Sequence, residues 1–223
     1  MRHLKVIGEA RAPDGTELKL ARRDDEYVIL AGGKTLMSSG MCGSEEALAA
    51  LACSRAATLE RPAVLIGGLG MGFTLRATLN SLPPEATVVV AELVPEVVEW
   101  NRGPLAPLAG SPLEDKRVRI ETRDVAITLR SSAAKFDAVL LDVDNGPAAL
   151  TSSDNAWLYD DQGIAAALGA LKRSGVLAVW SAREDRKFEK RLRQGGFAVE
   201  VERVRGRSKN GGPHHTIFVA RKT

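Results

Sequence analysis

The chain has 223 residues, 44% of them hydrophobic and 26% charged, and its 31 basic and 28 acidic residues leave a formal net charge of +3. That length supports one sizeable core. The small charge excess excludes a strongly basic surface, and the late basic cluster from Arg183 to Lys209 reads as a solvated face, so no nucleic-acid partner is expected. No run approaches the ~20 apolar residues of a membrane span and no apolar signal core opens the chain, which makes the cytoplasm the expected compartment and a membrane partner unexpected.

Residues 1–42 read as an N-terminal β-hairpin region. "APDGTE" supplies one turn, and Gly32-Gly33 separates two short apolar runs in "EYVILAGGKTLMSS". Three or four antiparallel strands are expected there. "GSEEALAALACSRAATL" reads as a helix, with Ser44 as its cap and the acids Glu45 and Glu46 favouring its first turn, a reading preferred to substrate contact at the ligand-binding edge of the sheet, which both acids could reach. The two cysteines, Cys42 and Cys53, have neither zinc-site spacing nor the number of a disulfide framework, so no metal is expected. His214 and His215 are adjacent, and in a strand they point to opposite faces.

From residue 43 to 223 the pattern is one Rossmann-like domain of alternating strands and helices. "AVLIGG" is a continuous apolar run, the mark of a strand buried on both faces of a parallel sheet. Strands follow in "ATVVVAEL", "RVRIETRD", "FDAVLLDVD" and "VLAVWSA", each separated from the last by a helical segment, the final one being "GIAAALGALKRSG". Asp137 reads as an exposed residue at the start of its strand. After the helix "REDRKFEKRLRQGG", the strands "FAVEVERVRG" and "HHTIFVARK" are joined by a loop. Right-handed crossovers make the earlier strands parallel, and the loop connection makes the last strand antiparallel. The expected fold is therefore an α/β, seven-stranded Rossmann-like methyltransferase sheet, last strand antiparallel, with a small N-terminal antiparallel β region.

"VLIGGLGMGFTLRA" places Gly67, Gly68, Gly70 and Gly72 between a strand and a helix, where residues lacking a Cβ let a ligand lie on the backbone. Glu92, 20 residues after Gly72, ends the next strand, with Leu93 beside it. An acid there can accept hydrogen bonds from both hydroxyls of a ribose. Asp124 ends the third strand, placed to accept from an adenine amino group while Val125 offers its backbone N–H. Asp142 and Asp144 follow the fourth strand and share a face if that strand continues. Four strand ends thus converge on the edge where open α/β sheets bind ligands. Trp157 and Tyr159 further on suit either an acceptor-pocket wall or the core.

Taken together, "LMSSGMCGSEEALA", the glycine loop, "VVVAELVPEVVEWNR", "RDVA" and "FDAVLLDVDNGPAAL" resemble the spermidine synthase-like group of the class I S-adenosylmethionine-dependent methyltransferase superfamily. The resemblance implies ribose binding by Glu92, adenine binding by Asp124, and Asp142 at the mouth of an amine pocket. It implies a transferase that binds S-adenosylmethionine, its decarboxylated form or methylthioadenosine, and moves an aminopropyl or methyl group to a small-molecule acceptor such as a polyamine. It also implies a homodimer. Asp142 and Asp144 are the catalytic candidates. Two departures stand out: Leu69, Gly70 and Met71 fill the loop places where the group carries an amine-gripping acid, and Asn145 stands where it carries a second acid. These departures keep open an ordinary methyltransferase, or a non-catalytic nucleoside-binding homodimer. A nicotinamide-dependent oxidoreductase is disfavoured by the reversed last strand and by Asp124.

Overall fold

The computed structural model describes residues 4–143, 146–147, 153–207 and 211–223. Its first four strands, β1 (Lys5–Arg11), β2 (Glu17–Arg23), β3 (Glu26–Ala31) and β4 (Lys34–Ser38), form an antiparallel sheet in the order β1-β2-β3-β4. Asp14 Oδ1 accepts from the Thr16 amide at 2.8 Å in the first turn, the local bond that makes Asp favourable there. The inner face of this sheet, through Leu18, Leu20 and Ile29, joins the main hydrophobic core. The small sheet is thereby fixed against the larger one.

The remaining strands are β5 (Ala63–Gly67), β6 (Thr87–Glu92), β7 (Val118–Thr122), β8 (Phe136–Leu141), β9 (Leu171–Ser181), β10 (Phe197–Arg207) and β11 (Gly211–Lys222). They form one seven-stranded sheet in the order β10-β11-β9-β8-β5-β6-β7. β5 to β9 pair in parallel. β11 runs antiparallel to both β9 and β10 and lies between them. The expected sheet and its reversed last strand are both present.

Helices α1 (Gly43–Cys53), α2 (Phe73–Ser81) and α3 (Pro95–Arg102) cover one face, and α4 (Val125–Arg130), α5 (Asp161–Ala170) and α6 (Arg186–Gln194) the other. Strand alternation explains the division: Val64 and Ile66 of β5 pack in one layer, and Leu65 in the other. Among the described residues, no helix is long and apolar enough to cross a membrane. α6 buries Phe188 and Leu192 and turns Arg186, Lys187, Lys190 and Arg193 outward as a solvated face, while Arg191 is half-buried over the Phe188 ring.

Three local expectations need correction. Ser44 does not cap α1, because the helix begins at Gly43 and Cys42 takes the N-cap position; Ser44 lies in the first turn. The helix expected through "LKRSG" stops at Ala170, since Leu171 already pairs with Phe136 as the start of β9. Asp137 is buried, and its Oδ2 accepts from the Ala63 amide at 2.8 Å and from Lys172 Nζ at 2.6 Å. Those two donors compensate the desolvation of a carboxylate inside a central strand.

Candidate functional site

A cleft of about 550 Å³ opens at the carboxyl ends of β5, β6 and β8, and the N-terminal sheet closes it from above with Leu18, Ile29 and Met37. Gly68, Gly70, Glu92, Leu93, Asp124, Val125 and Asp142 all line it. The sequence-predicted site residues therefore meet around one cavity, apart from two glycines and Asp144. Asp144 and Asn145 lie outside the described residues.

The glycine loop is stitched to both neighbouring strands. Gly68 donates its amide to Ala91 O at 2.9 Å, and the Asp142 amide donates to Gly67 O at 3.0 Å. At Gly68, φ is +87°, and a Cβ there would stand 2.4 Å from the Asp142 carbonyl oxygen. Only glycine fits this crossing of two backbone segments. Gly67 and Gly72 do not line the cleft: Gly67 faces Val125 and Leu141, while Gly72 begins α2 against Asn101. Asn101 Nδ2 in turn donates to Gly70 O at 2.8 Å and holds the loop from the side of α3.

Leu69 and Met71 point into the main core, 4% and 0% exposed. Two of the three loop places where the resembling group carries an acid are thus apolar packing positions here, where an unpaired carboxylate would be strongly disfavoured, and the third, Gly70, lines the cleft without a side chain.

Glu92 is buried at the end of β6. Its Oε2 accepts from the Leu69 amide at 2.8 Å and its Oε1 from the Val94 amide at 2.9 Å. The two backbone donors fix the orientation of the carboxylate, which lines the cleft. Asp124 is the N-cap of α4, with Oδ1 accepting from the Ala126 amide at 2.8 Å. The Val125 amide at the first helical position has no intrahelical acceptor by helix geometry. Leu93, 40% exposed, adds an apolar surface beside Glu92.

Asp142 Oδ2 accepts from Thr74 Oγ1 at 2.5 Å. Burial holds its carboxyl above the usual carboxylate range, against the lowering effect of that hydroxyl. Glu45, only 7% exposed, lines the same cleft, and its Oε2 accepts from Ser44 Oγ at 2.7 Å. Burial, then the charge of Asp142, pushes Glu45 up to about 7. Of the two readings of Glu45, helix-terminus charge first and substrate contact second, its place in the cleft beside Asp142 favours the second. Thr74 and Glu45 are functional candidates that sequence reasoning missed or placed second. The signal for Glu45 was an acid on the segment just before the sheet; for Thr74 there was none.

The two aromatics left open between pocket wall and core are both packing residues. Tyr159 lies in the core, with its hydroxyl donating to Val143 O at 3.2 Å and its ring edge-on to Phe188. Trp157 donates to Gln162 and stacks under Arg130, away from the cleft. The aromatic wall is instead Trp180 with His215, ring centroids 4.7 Å apart. His214 points the other way and is exposed, as the strand pattern requires. Among the described residues, no group of three or more His, Cys, Asp or Glu side chains is arranged to hold a metal.

Sheet order and the reversed last strand define a class I methyltransferase-type α/β fold, here preceded by a small β-sheet. Within that class, the fold is that of the spermidine synthases. The chain superposes on spermidine synthase from Thermotoga maritima with a TM-score of 0.76 at 20% identity, covering 98% of this chain and 73% of that one. A spermidine synthase in complex with the transition state analogue AdoDATO gives a TM-score of 0.74 at 20% identity, with the same coverage. A probable spermidine synthase from Corynebacterium glutamicum gives 0.65 at 17% identity, covering 98% and 81%. In sequence, the chain is 30% identical over 125 residues to a polyamine aminopropyltransferase of Corynebacterium efficiens. That match takes in 55% of this chain but only 23% of the relative's length. No protein-family model matches the chain.

Proposed function

We propose that this protein is an aminopropyltransferase, moving the aminopropyl group of decarboxylated S-adenosylmethionine to a polyamine-type amine. The observation that carries this reading is the set of carboxylates, Glu45, Glu92, Asp124 and Asp142, around one cleft beside the glycine loop. A chain with a net positive charge has gathered acids where a cationic donor and a cationic acceptor would meet. The likeness in fold to spermidine synthases, and the sequence match to a polyamine aminopropyltransferase, support it.

In this reading Glu92 takes the two ribose hydroxyls. Asp124 Oδ2 and the Val125 amide take the adenine edge, with Leu93 against the ring. Gly68 and Gly70 allow the nucleoside to lie on the loop, while Gly67 and Gly72 shape it. The sulfonium is already activated, so the protein's main contribution is alignment of the nucleophile, carbon and leaving sulfur. A neutral acceptor amine attacks the propyl carbon, the carbon–sulfur bond breaks, and its electron pair stays on sulfur in methylthioadenosine. The new secondary ammonium then gives up one proton. Asp142 orients the amine and is within the class of groups that receives such a proton; Asp144 remains the proposed second acid. The donor is a co-substrate and no metal is invoked. We place the protein in the cytoplasm, because its two cysteines are both free. We assign residues 1–42 to the β-region and 43–223 to the Rossmann-like domain. A homodimer through the edge strand β1, where Val6 and Ile7 are exposed, completes the reading.

Incubation with decarboxylated S-adenosylmethionine and a panel of diamines tests this. Amine-dependent release of methylthioadenosine is expected. Formation of S-adenosylhomocysteine from S-adenosylmethionine instead would identify a methyltransferase, and binding without turnover would identify a non-catalytic relative.

A further inference from the structure

Glu45 and Asp142 form an unusual pair. Both line the cleft, and they are close enough for the charge of one to act on the other. Among the described residues, each has a single hydroxyl as side-chain donor, Ser44 for Glu45 and Thr74 for Asp142, and neither forms an ion pair. Lys34 lines the cleft from the N-terminal sheet and reaches neither acid. Two desolvated carboxylates facing one cavity without a cation are destabilising on their own. Such an arrangement is relieved when a ligand brings the missing positive charge, and hydrogen-bond donors of an ammonium match the acceptor oxygens left open.

Glu45 is held for that task. It lies in the first turn of α1, a helix packed on the main core through Leu48, Ala49 and Ala52. Ser44 donates to Oε2 and the residue's own backbone amide also bonds the carboxyl, which leaves the two-oxygen group with acceptor capacity for a ligand's donors. The glycine loop supplies no alternative acid, since Leu69 and Met71 face the core.

We propose that Glu45 is the ammonium clamp of the cleft: with Asp142 it binds the terminal amine of the donor's aminopropyl arm, and it rejects donors that carry a carboxylate on the same carbon. This rests on the proposed adenosyl site and adds to it a specificity residue supplied from outside the Rossmann-like strand ends. The carboxylate of S-adenosylmethionine would be brought against two acids, a like-charge juxtaposition that disfavours the wrong ligand.

Three uncharged-sulfur nucleosides isolate the effect by calorimetry: methylthioadenosine, the aminopropyl thioether of adenosine, and S-adenosylhomocysteine. They differ in the ammonium and then in the carboxylate. The wild-type chain is expected to bind the aminopropyl thioether at least ~10-fold more tightly than either of the others, the scale of a hydrogen bond to a charged group. Glu45→Gln is expected to bring the aminopropyl thioether to within about 3-fold of methylthioadenosine, whose own affinity stays unchanged. That unchanged affinity also reports an intact fold. An undiminished preference for the aminopropyl thioether in Glu45→Gln overturns the proposal while leaving the adenosyl site standing. Failure of the wild-type chain to bind any of the three overturns the adenosyl site itself. If Glu45→Gln does not fold, Glu45→Asp keeps the charge but shortens its reach. The same preference is then expected to fall several-fold, and its full retention overturns the clamp.

Discussion

Leu69 donates its backbone amide to Glu92 Oε2 at 2.8 Å, so the glycine loop and the acid ending β6 hold one another in place. Glu92→Ala strips acceptors from both the Leu69 and Val94 amides. We expect a loss of about 1–3 kcal/mol in unfolding free energy, the usual penalty for buried donors left unpaired. Nucleoside affinity should fall more than ~100-fold, because two hydrogen bonds to a charged acceptor are lost together. Denaturant unfolding and calorimetry measure the two effects separately, and an unchanged affinity would show that the ribose lies elsewhere.

Gly68→Ala tests the loop crossing. Its Cβ would meet the Asp142 carbonyl oxygen in a backbone conformation that already disfavours side chains. The loop and the end of β8 must separate, and Asp142 moves with them. We expect nucleoside binding to weaken at least ~10-fold with a destabilisation of roughly 1–3 kcal/mol, the scale of a strained backbone residue. Gly169→Ala, which meets nothing within 4 Å in the helix α5, is the matched control and should leave nucleoside binding unchanged while stabilising the fold slightly, by up to about 1 kcal/mol.

The acids of the cleft predict a pH dependence of definite sign. Glu45 is raised from 4.5 to about 7, so between those values the folded chain binds more protons at this group than the unfolded chain does. Its contribution to stability is present below about 4.5 and lost as the pH rises through about 7. Asp142 is shifted in the same direction by burial. Glu45→Gln removes this loss. Thermal unfolding of the unliganded protein should therefore show Glu45→Gln gaining on the wild type between pH 5 and pH 8. A difference that is constant across this range would contradict the assignment.

Asp137 provides a purely structural counterpart. Asp137→Ala leaves the Ala63 amide without its acceptor and Lys172 Nζ without its carboxylate. A loss of about 2–4 kcal/mol is expected, somewhat less than for a fully buried pair because Lys172 is partly exposed. It sits near the start of β8, far along the strand from Asp142, so nucleoside affinity at saturating fold should be unchanged.

Much of the fold was legible because it rests on short-range signals. The apolar runs of β5 and β6 demand burial on both faces, and the few residues of chain between β10 and β11 allow only antiparallel pairing. Glycines, Glu92, Asp124 and Asp142 were legible for a related reason: each stands at a strand end, and parallel strands bring their carboxyl ends to one edge. What was not legible depends on packing between distant segments. Nothing near Thr74 shows that its hydroxyl meets Asp142, 68 residues away. Glu45 has the position of an ordinary helix-terminus acid, and only the seating of α1 beside β8 turns it into the cleft. Asp137 was misjudged because its partners, Ala63 and Lys172, come from strands on either side. Tyr159 and Trp157 were ambiguous until helix α6 supplied Phe188 as the partner of Tyr159.

The most direct measurement is a crystal structure of the chain with methylthioadenosine bound. The account predicts the ribose hydroxyls on the Glu92 carboxylate, the adenine between Leu93 and the Asp124–Val125 corner, and the thioether turned toward Asp142 and Glu45. A nucleoside seated elsewhere, or a ribose that does not touch Glu92, would contradict it.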